Sequence, residues 1–328
     1  MNASTRSLSP GTRARVAVID DYQGVARDMA DWAPLDARAD VTIFRDHIAD
    51  DDRLVERLAP FDIVCVMRER TPLTAAILER LPNLKLLVTT GRRNASIDMA
   101  AAASLGITGC GTEGKTAPTP ELTWGLILAL MRQIPMEDAA MRRGQFQTTV
   151  GRTLLGGTLG MLGLGRLGQY VAKVGQAFGM EVIAWSQNLT AEAAAAHGVT
   201  RVEKDELFRR SDVVSIHLVL SERSRGLVGA HELGLMKPTA YLVNTSRGPI
   251  VDEAALLDAL ESGRIGGAGL DVYAVEPLPA DHRLRTCPRT VLTPHLGYVT
   301  EDTYQVFYPQ TVDAVLAWLD GKPIRVIS

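Results

Sequence analysis

Residues 158–178 read TLGMLGLGRLGQYVAKVGQAF. The first five, Thr158–Leu162, are a short apolar run of strand character, and from Leu167 to Phe178 the apolar residues recur at helical spacing. Between the two stand Gly163, Gly165 and Gly168 in the spacing G-x-G-x-x-G. Such a triplet is weak by itself in a chain with 29 glycines. A strand leading in and a helix leading out make it specific. Gly163 permits a tight turn, Gly165 lets backbone approach a pyrophosphate, and Gly168 lets the helix lie against the strand. The helix start at Arg166 and Leu167 offers unpaired amides and a partial positive charge to phosphates. The stretch predicts a dinucleotide-binding β–α unit.

Outward from it, short β-branched runs alternate with helical stretches along nearly the whole chain. Upstream strands are expected at Arg15–Asp20, Val41–Phe44, Ile63–Met67 and Leu84–Thr89, with helices at Asp52–Ala59 and Ala75–Leu81. Downstream, strands are expected at Val182–Trp185, Val213–Val219, Tyr241–Asn244, Gly269–Val272 and Thr290–Thr293. Helices are expected at Ala191–His197, Lys204–Arg209 and Glu253–Ser262, and from Glu301 to Leu319, where Gly321 and Pro323 stop the pattern. This alternation specifies parallel sheets, because each parallel crossover needs a helix. Pro118–Met131 reads as a long buried helix with Thr119 as N-cap and Pro120 as first residue. The segment Arg132–Gly157 has no clear periodicity and reads as a loop or an arm reaching a second copy.

A chain of 328 residues predicts about two domains. It is 46% hydrophobic and 22% charged, with 35 Lys+Arg against 38 Asp+Glu. A net charge of −3 gives no electrostatic reason to seek nucleic acid or an anionic membrane. Cys65, Cys110 and Cys287 are far apart, which argues against a disulfide scaffold or a metal site and suits a cytoplasmic setting. The stretch Met1–Arg15 lacks the apolar core of a secretory signal, and no apolar run approaches the ~20 residues that span a bilayer.

The fingerprint expects an acid after the second strand, where it would hold the adenosine ribose. Here Glu181–Trp185 is followed by Ser186, Gln187 and Asn188. Repulsion toward a 2′-phosphate is absent, yet no Arg lies in the run; Arg209 or Arg210, from a later loop, is the nearest alternative. NAD and NADP are both expected, with NADP modestly favoured.

Three later segments each place a polar group at a strand's carboxyl end, where open α/β sheets bind ligands. They are Asn244–Asp252 with Arg247, Gly269–Pro277 with Asp271 and Glu276, and Thr293–Gly297 with His295. These residue types can supply a proton donor and a cation for an anionic group. A histidine suits the first, since its ordinary pKa near ~6.5 allows proton exchange at neutral pH. Glu276 beside it would orient the ring and favour the imidazolium. The planar fork of Arg247 suits the second.

Together with the glycine turn, these segments resemble the D-isomer-specific 2-hydroxyacid dehydrogenase family over nearly the whole chain. The resemblance implies two Rossmann-like, doubly wound parallel-sheet α/β domains with the active site in the cleft between them. One would be 1–113 completed by 298–328 and would take the substrate; the other, 114–297, would bind dinucleotide. It implies catalytic roles for Arg247, Glu276 and His295. Coenzyme contacts would come from Gly163, Gly165, Arg166, Leu167, Gly168, Ser186, Gln187, Val219 (usually Pro in the family), Thr245, Asp271 and Gly297. His217 reads as structural. The stretch Thr89–Asp98 resembles the loop whose amides grip the substrate carboxylate. Gly91 keeps the pattern, while Arg92 and Arg93 depart from it, and Arg68 and Arg70 lie on a comparable loop. The resemblance further implies a homodimer, no metal, and a small anionic 2-oxo or 2-hydroxy acid such as glyoxylate, hydroxypyruvate or a phosphoglycerate-like acid. Formate dehydrogenase is disfavoured because that branch carries Gln where Glu276 stands. A dinucleotide-sensing corepressor on the same scaffold is the alternative from another class, and the lack of a basic tail speaks against it.

Overall fold

The computed structural model describes residues 11–327. The first ten residues, part of the stretch expected to carry no secretory signal, lie outside the described residues. Two compact units emerge. The first runs to Lys115 and resumes at Thr300; the second is the continuous stretch Thr116–Val299.

The first unit holds β1 (Ala14–Val18), β2 (Ala39–Ile43), β3 (Ile63–Val66), β4 (Leu86–Thr89) and β5 (Thr108–Gly111). All pair in parallel in the order β2-β1-β3-β4-β5. The four residues of β3 and of β4 are all buried, as expected of strands covered on both faces. Helices Asp51–Leu58 and Ala75–Leu78 lie close to the predicted ones; Ala33–Asp36 and Met99–Ser104 are too short to show a period. The helix Glu301–Leu319 belongs to this unit and buries Tyr304, Phe307, Tyr308 and Trp318. The chain end then runs antiparallel along β5: the Gly111 amide donates to Arg325 O at 2.9 Å and the Ile327 amide to Gly109 O at 2.9 Å.

The second unit holds β6 (Thr158–Leu162), β7 (Glu181–Trp185), β8 (Thr200–Arg201), β9 (Val213–Ile216), β10 (Tyr241–Asn244), β11 (Gly267–Leu270) and β12 (Thr290–Leu292). Its seven-stranded parallel sheet has the order β12-β11-β10-β9-β6-β7-β8. Alternate residues feed opposite faces, as the strand period requires. Leu162, Ile216 and Leu242 enter one core; Leu159, Met161, Val213 and Val243 enter the other with Trp124, Ile127 and Leu130. The two-sheet parallel α/β architecture is the one the alternation predicted.

Several local expectations need correction. The helix Pro118–Met131 begins at Pro118 on Ala117, so Thr119 lies inside the first turn instead of capping it. Arg132–Gly157 is not all loop: Ile134–Arg142 is a helix. Its apolar side chains Ile134, Met136 and Met141 are exposed, which erased the inward-facing period. The strand expected to reach Val219 stops at Ile216, and Val219 is 85% exposed. The two-residue β8 and the helix Ala230–Leu235 were not anticipated. Among the described residues no helix is long and apolar enough to cross a membrane, and no group of three His, Cys, Asp or Glu side chains is placed to hold a metal ion.

Candidate active site

In the second unit the parallel strands β9, β10, β11 and β12 lead into loops at their carboxyl ends, on one side of the sheet. After β10, the Asn244 side chain shapes the turn: its Oδ1 accepts from the Ser246 amide at 3.0 Å and its Nδ2 donates to Arg247 O at 3.0 Å. Ser246 Oγ donates to Leu218 O, fastening this turn to the loop after β9. Arg247 is thereby presented from a braced backbone, with its Nη1 donating to Ser246 O at 2.7 Å.

His295 and Glu276 meet. His295 Nδ1 lies 2.6 Å from Glu276 Oε2, and both side chains are largely buried. The other glutamate oxygen accepts from the Tyr273 amide at 2.9 Å. The carboxylate is therefore held at both oxygens. It keeps the ring's proton on Nδ1 and leaves Nε2 for a reacting group. His295 has φ +53°, a left-handed conformation that a β-carbon disfavours. Such backbone strain persists where surrounding bonds over-determine it, often at functional sites.

Those bonds come chiefly from Asp271. Its carboxylate accepts from Thr293 Oγ1 at 2.6 Å, from the Leu296 amide at 2.7 Å and from the Gly297 amide at 2.8 Å. Its backbone oxygen accepts from the His295 amide at 2.8 Å. Burial pushes the Asp271 carboxyl above its ordinary range, and these donors with nearby His295 pull it back. Expected as a coenzyme contact, Asp271 engages both of its oxygens under the His295 turn. Gly297 and Thr245 are likewise tied inward. Gly297 O accepts from Thr119 Oγ1, and Thr245 Oγ1 lies 2.8 Å from Thr123 Oγ1.

The glycine turn has the cradle a dinucleotide needs. Gly163 has φ +104°, and a β-carbon there would lie 2.7 Å from His217 O. One on Gly168 would lie 2.3 Å from Gly163 O. One on Gly165 would meet nothing within 4 Å, so that glycine faces open space. The helix Arg166–Ala177 starts there without a side-chain cap, leaving its first amides for an anion. Beside the turn, His217 Nε2 pairs with Ser215 Oγ at 2.8 Å, and burial pushes the imidazole pKa down to about 4. A neutral structural histidine is what that environment favours.

The family model for the NAD-binding domain of D-isomer-specific 2-hydroxyacid dehydrogenases matches residues 124–297. The chain belongs to that dehydrogenase family. It is 38% identical to the glyoxylate reductase of Aeropyrum pernix over 75% of this chain and 76% of that one. It is 37% identical to the D-3-phosphoglycerate dehydrogenase of Methanocaldococcus jannaschii over 76% of this chain, but spans only 48% of that relative, about half its length. A phosphoglycerate oxidoreductase structure from Vibrio cholerae superposes with TM-score 0.89 at 36% identity, covering 94% of this chain and 99% of that one.

For this dehydrogenase, the end of β7 carries no acid: Ser186, Gln187 and Asn188 are partly or largely exposed. The arginines expected to approach from a later loop do not. Arg210 pairs with Glu206 and with Glu181, the first residue of β7, whereas Ser186 follows its last; Arg209 pairs with Asp205.

In the first unit the loops after β3 and β4 are stitched together. Asn94 Nδ2 donates to Arg68 O at 2.5 Å and to Thr89 Oγ1 at 2.8 Å, while the Arg68 amide donates to Thr90 Oγ1 at 2.8 Å. Arg68 has φ +52°, and its guanidinium lies on Gly91 so closely that a β-carbon there would be 1.8 Å from Nη1. The Gly91 amide, expected to grip a carboxylate, is already donated to Thr112 Oγ1 at 2.8 Å. Arg92 is exposed and pairs with Glu113, and Arg93 is exposed. Arg70 is buried, with Nη1 on Asp20 O at 2.6 Å and its guanidinium over the Tyr22 ring at 4.5 Å.

Sequence reasoning missed Tyr298, whose ring stands edge-on to His295 at 5.6 Å between centroids. Its place three residues after the histidine was the only signal. Thr119, Thr123 and Asn94 were missed as well, because a lone Thr or Asn carries no spacing signature.

Proposed function

We propose that this protein reduces small 2-oxo acids to D-2-hydroxy acids with a nicotinamide dinucleotide. The observation that carries this reading is the 2.6 Å pair of His295 Nδ1 and Glu276 Oε2, set among the same strand ends as Arg247. A bound reduced coenzyme supplies the hydride. His295 Nε2 gives the proton to the carbonyl oxygen, and Glu276 stabilises the ring in the protonated state that precedes the transfer. Arg247 binds the substrate carboxylate through its fork of donors and polarises the adjacent carbonyl. The glycine turn binds the pyrophosphate, with Arg166 and Leu167 in the first helical turn. On the loops after β3 and β4 of the first unit, Arg68 and Arg93 are the cations we assign to substrate binding. Glyoxylate, hydroxypyruvate and pyruvate, each offered with NADH and NADPH, test the reading by loss of reduced-nicotinamide absorbance. No turnover of any pair would refute it.

Coenzyme use follows from the end of β7. Both coenzymes serve, with NADP modestly ahead, because no carboxylate there repels a 2′-phosphate and no tightly placed cation rewards one. A margin of roughly 1–2 kcal/mol, about five- to thirtyfold, is what one hydrogen bond from the Ser186 hydroxyl or the Gln187 or Asn188 amide to the charged phosphate gives. Ser186→Asp restores both the ribose acceptor and the repulsion, so kcat/KM should swing toward NAD. A parent that already prefers NAD more than about a hundredfold would contradict this reading.

The working form is a homodimer. Ile134, Met136, Met141, Phe146, Val150 and Leu155 are all exposed on one stretch of the second unit, more apolar surface than a lone copy keeps in water. Glu137 holds that stretch in shape by accepting from Thr148 and Thr149 hydroxyls at 3.0 and 2.6 Å. Light scattering at micromolar concentration is expected to give twice the 35.5 kDa chain mass; a value near one chain would count against the dimer. The three cysteines are free and buried, which supports a cytoplasmic site of action.

A further inference from the structure

The helix Pro118–Met131 packs on β10, β11 and β12, the three strands that lead to Arg247, Asp271 and His295. The fit is close at the middle strand. A β-carbon on Gly269 would lie 3.0 Å from Leu130 Cδ1 and 3.2 Å from Leu126 Cβ. Nearer its start, two hydroxyls one turn apart leave the helix for two different loops. Thr119 Oγ1 donates to Gly297 O at 2.8 Å, and Thr123 Oγ1 lies 2.8 Å from Thr245 Oγ1. Thr123 Oγ1 also donates to Thr119 O at 2.9 Å.

A threonine hydroxyl has one proton. With that of Thr123 given to Thr119 O, the proton between the two hydroxyls must come from Thr245. The chain therefore runs from Thr245 to Thr123 to the helix backbone. Thr245 keeps only acceptor capacity toward the ligand side, and its position is set by the helix. Both threonine side chains of the 119/123 pair sit against loops that carry a reacting group two residues away: Gly297 follows His295, and Thr245 precedes Arg247. Thr123 is fully buried, so neither bond competes with water there.

We propose that Thr119 and Thr123 are positioning residues, through which one helix sets the His295 turn and the Arg247 turn relative to each other. The proposal rests on the reductase reading given above. Proton donor and carboxylate cation must hold a fixed separation for a 2-oxo acid to be gripped and protonated at once, and a displacement of about 1 Å can cost on the order of a hundredfold in rate. Loops alone do not keep such a distance. A helix packed across three strands does.

The two bonds should separate kinetically. Thr119→Val keeps the volume, removes the donor to Gly297 O and loosens the proton donor, so kcat falls about tenfold while KM for the 2-oxo acid stays within about twofold. Thr123→Val frees Thr245 and loosens the carboxylate cation, so KM rises about tenfold with kcat within about threefold. Thr119→Ser and Thr123→Ser keep the hydroxyls and should restore parental values. If a Val variant does not fold, the corresponding Ala variant removes the same hydroxyl without a β-branched side chain in the helix. Melting temperature is measured alongside. Parental kinetics in both Val variants would overturn the proposal. So would kcat, KM and melting temperature moving together without rescue by Ser, which is the signature of a purely structural role.

A second readout needs no turnover. In protein labelled at histidine, the His295 ring signal is assigned by its loss in His295→Asn. Thr119→Val should shift that signal and Thr123→Val should leave it in place; an unshifted signal in Thr119→Val overturns the first half. If the parent reduces no 2-oxo acid, the reductase reading fails, and this measurement still decides whether the helix positions His295.

Discussion

His295→Ala is expected to lower kcat by about 10²–10⁴-fold, the usual contribution of a positioned general acid. Coenzyme affinity should stay at the parental value, because the glycine turn and its helix start lie on β6 and do not depend on the imidazole. The loss is specific to the ring. Its Nδ1 is committed to Glu276, and Asp271 holds the backbone of the same turn through the His295 and Leu296 amides. Removing the side chain leaves that backbone intact and takes away only the proposed proton source. Steady-state kinetics with the best 2-oxo acid, together with coenzyme titration by fluorescence, measure both halves. A kcat within about threefold of the parent would remove His295 from the mechanism.

Arg247→Gln should cost about 10²–10³-fold in kcat/KM. A guanidinium on a carboxylate makes two charge-assisted bonds worth about 1.5–3 kcal/mol each, and glutamine retains one neutral donor group in their place. Arg247→Lys keeps the charge and loses the fork, so it should fall between parent and Gln. The ordering parent, Lys, Gln is the informative result. Equal losses in Lys and Gln would point to packing of the long side chain, and a Gln variant within about threefold of the parent would place the carboxylate elsewhere.

Several features of this candidate site are legible in its residue types, for identifiable reasons. A glycine turn between strand and helix is constrained by sterics at Gly163 and Gly168, where a β-carbon would strike backbone, so the requirement is written in residue types. Arg247, Glu276 and His295 each follow a strand whose apolar run is plain. What could not be read is how the loops are braced. Asp271 looks from sequence like another ligand-facing acid, and only its three donors reveal it under the His295 turn. The Gly91 amide is donated to Thr112, 21 residues away, a pairing that no local sequence pattern announces. Arg209 and Arg210 are the nearest alternative cations for the ribose in sequence, but Arg210 is turned to the other end of β7 by Glu181 and Arg209 pairs along its own helix with Asp205.

The unit that is split in sequence carries a consequence for synthesis on the ribosome. Among the described residues its β5 edge pairs with residues 325–327, and the Tyr308 hydroxyl reaches Asp21 across 287 positions of sequence. Until the last helix has left the exit tunnel, the five-stranded sheet has neither that cover nor Tyr304, Phe307 and Tyr308 in its core. The Thr116–Val299 stretch is continuous, so all of it is synthesised before the helix that completes the first unit. The nascent chain thus passes through a stage with one fully synthesised unit and one open sheet edge. Open edges recruit other strands, so chains truncated before residue 325 are expected to aggregate more readily than the full chain.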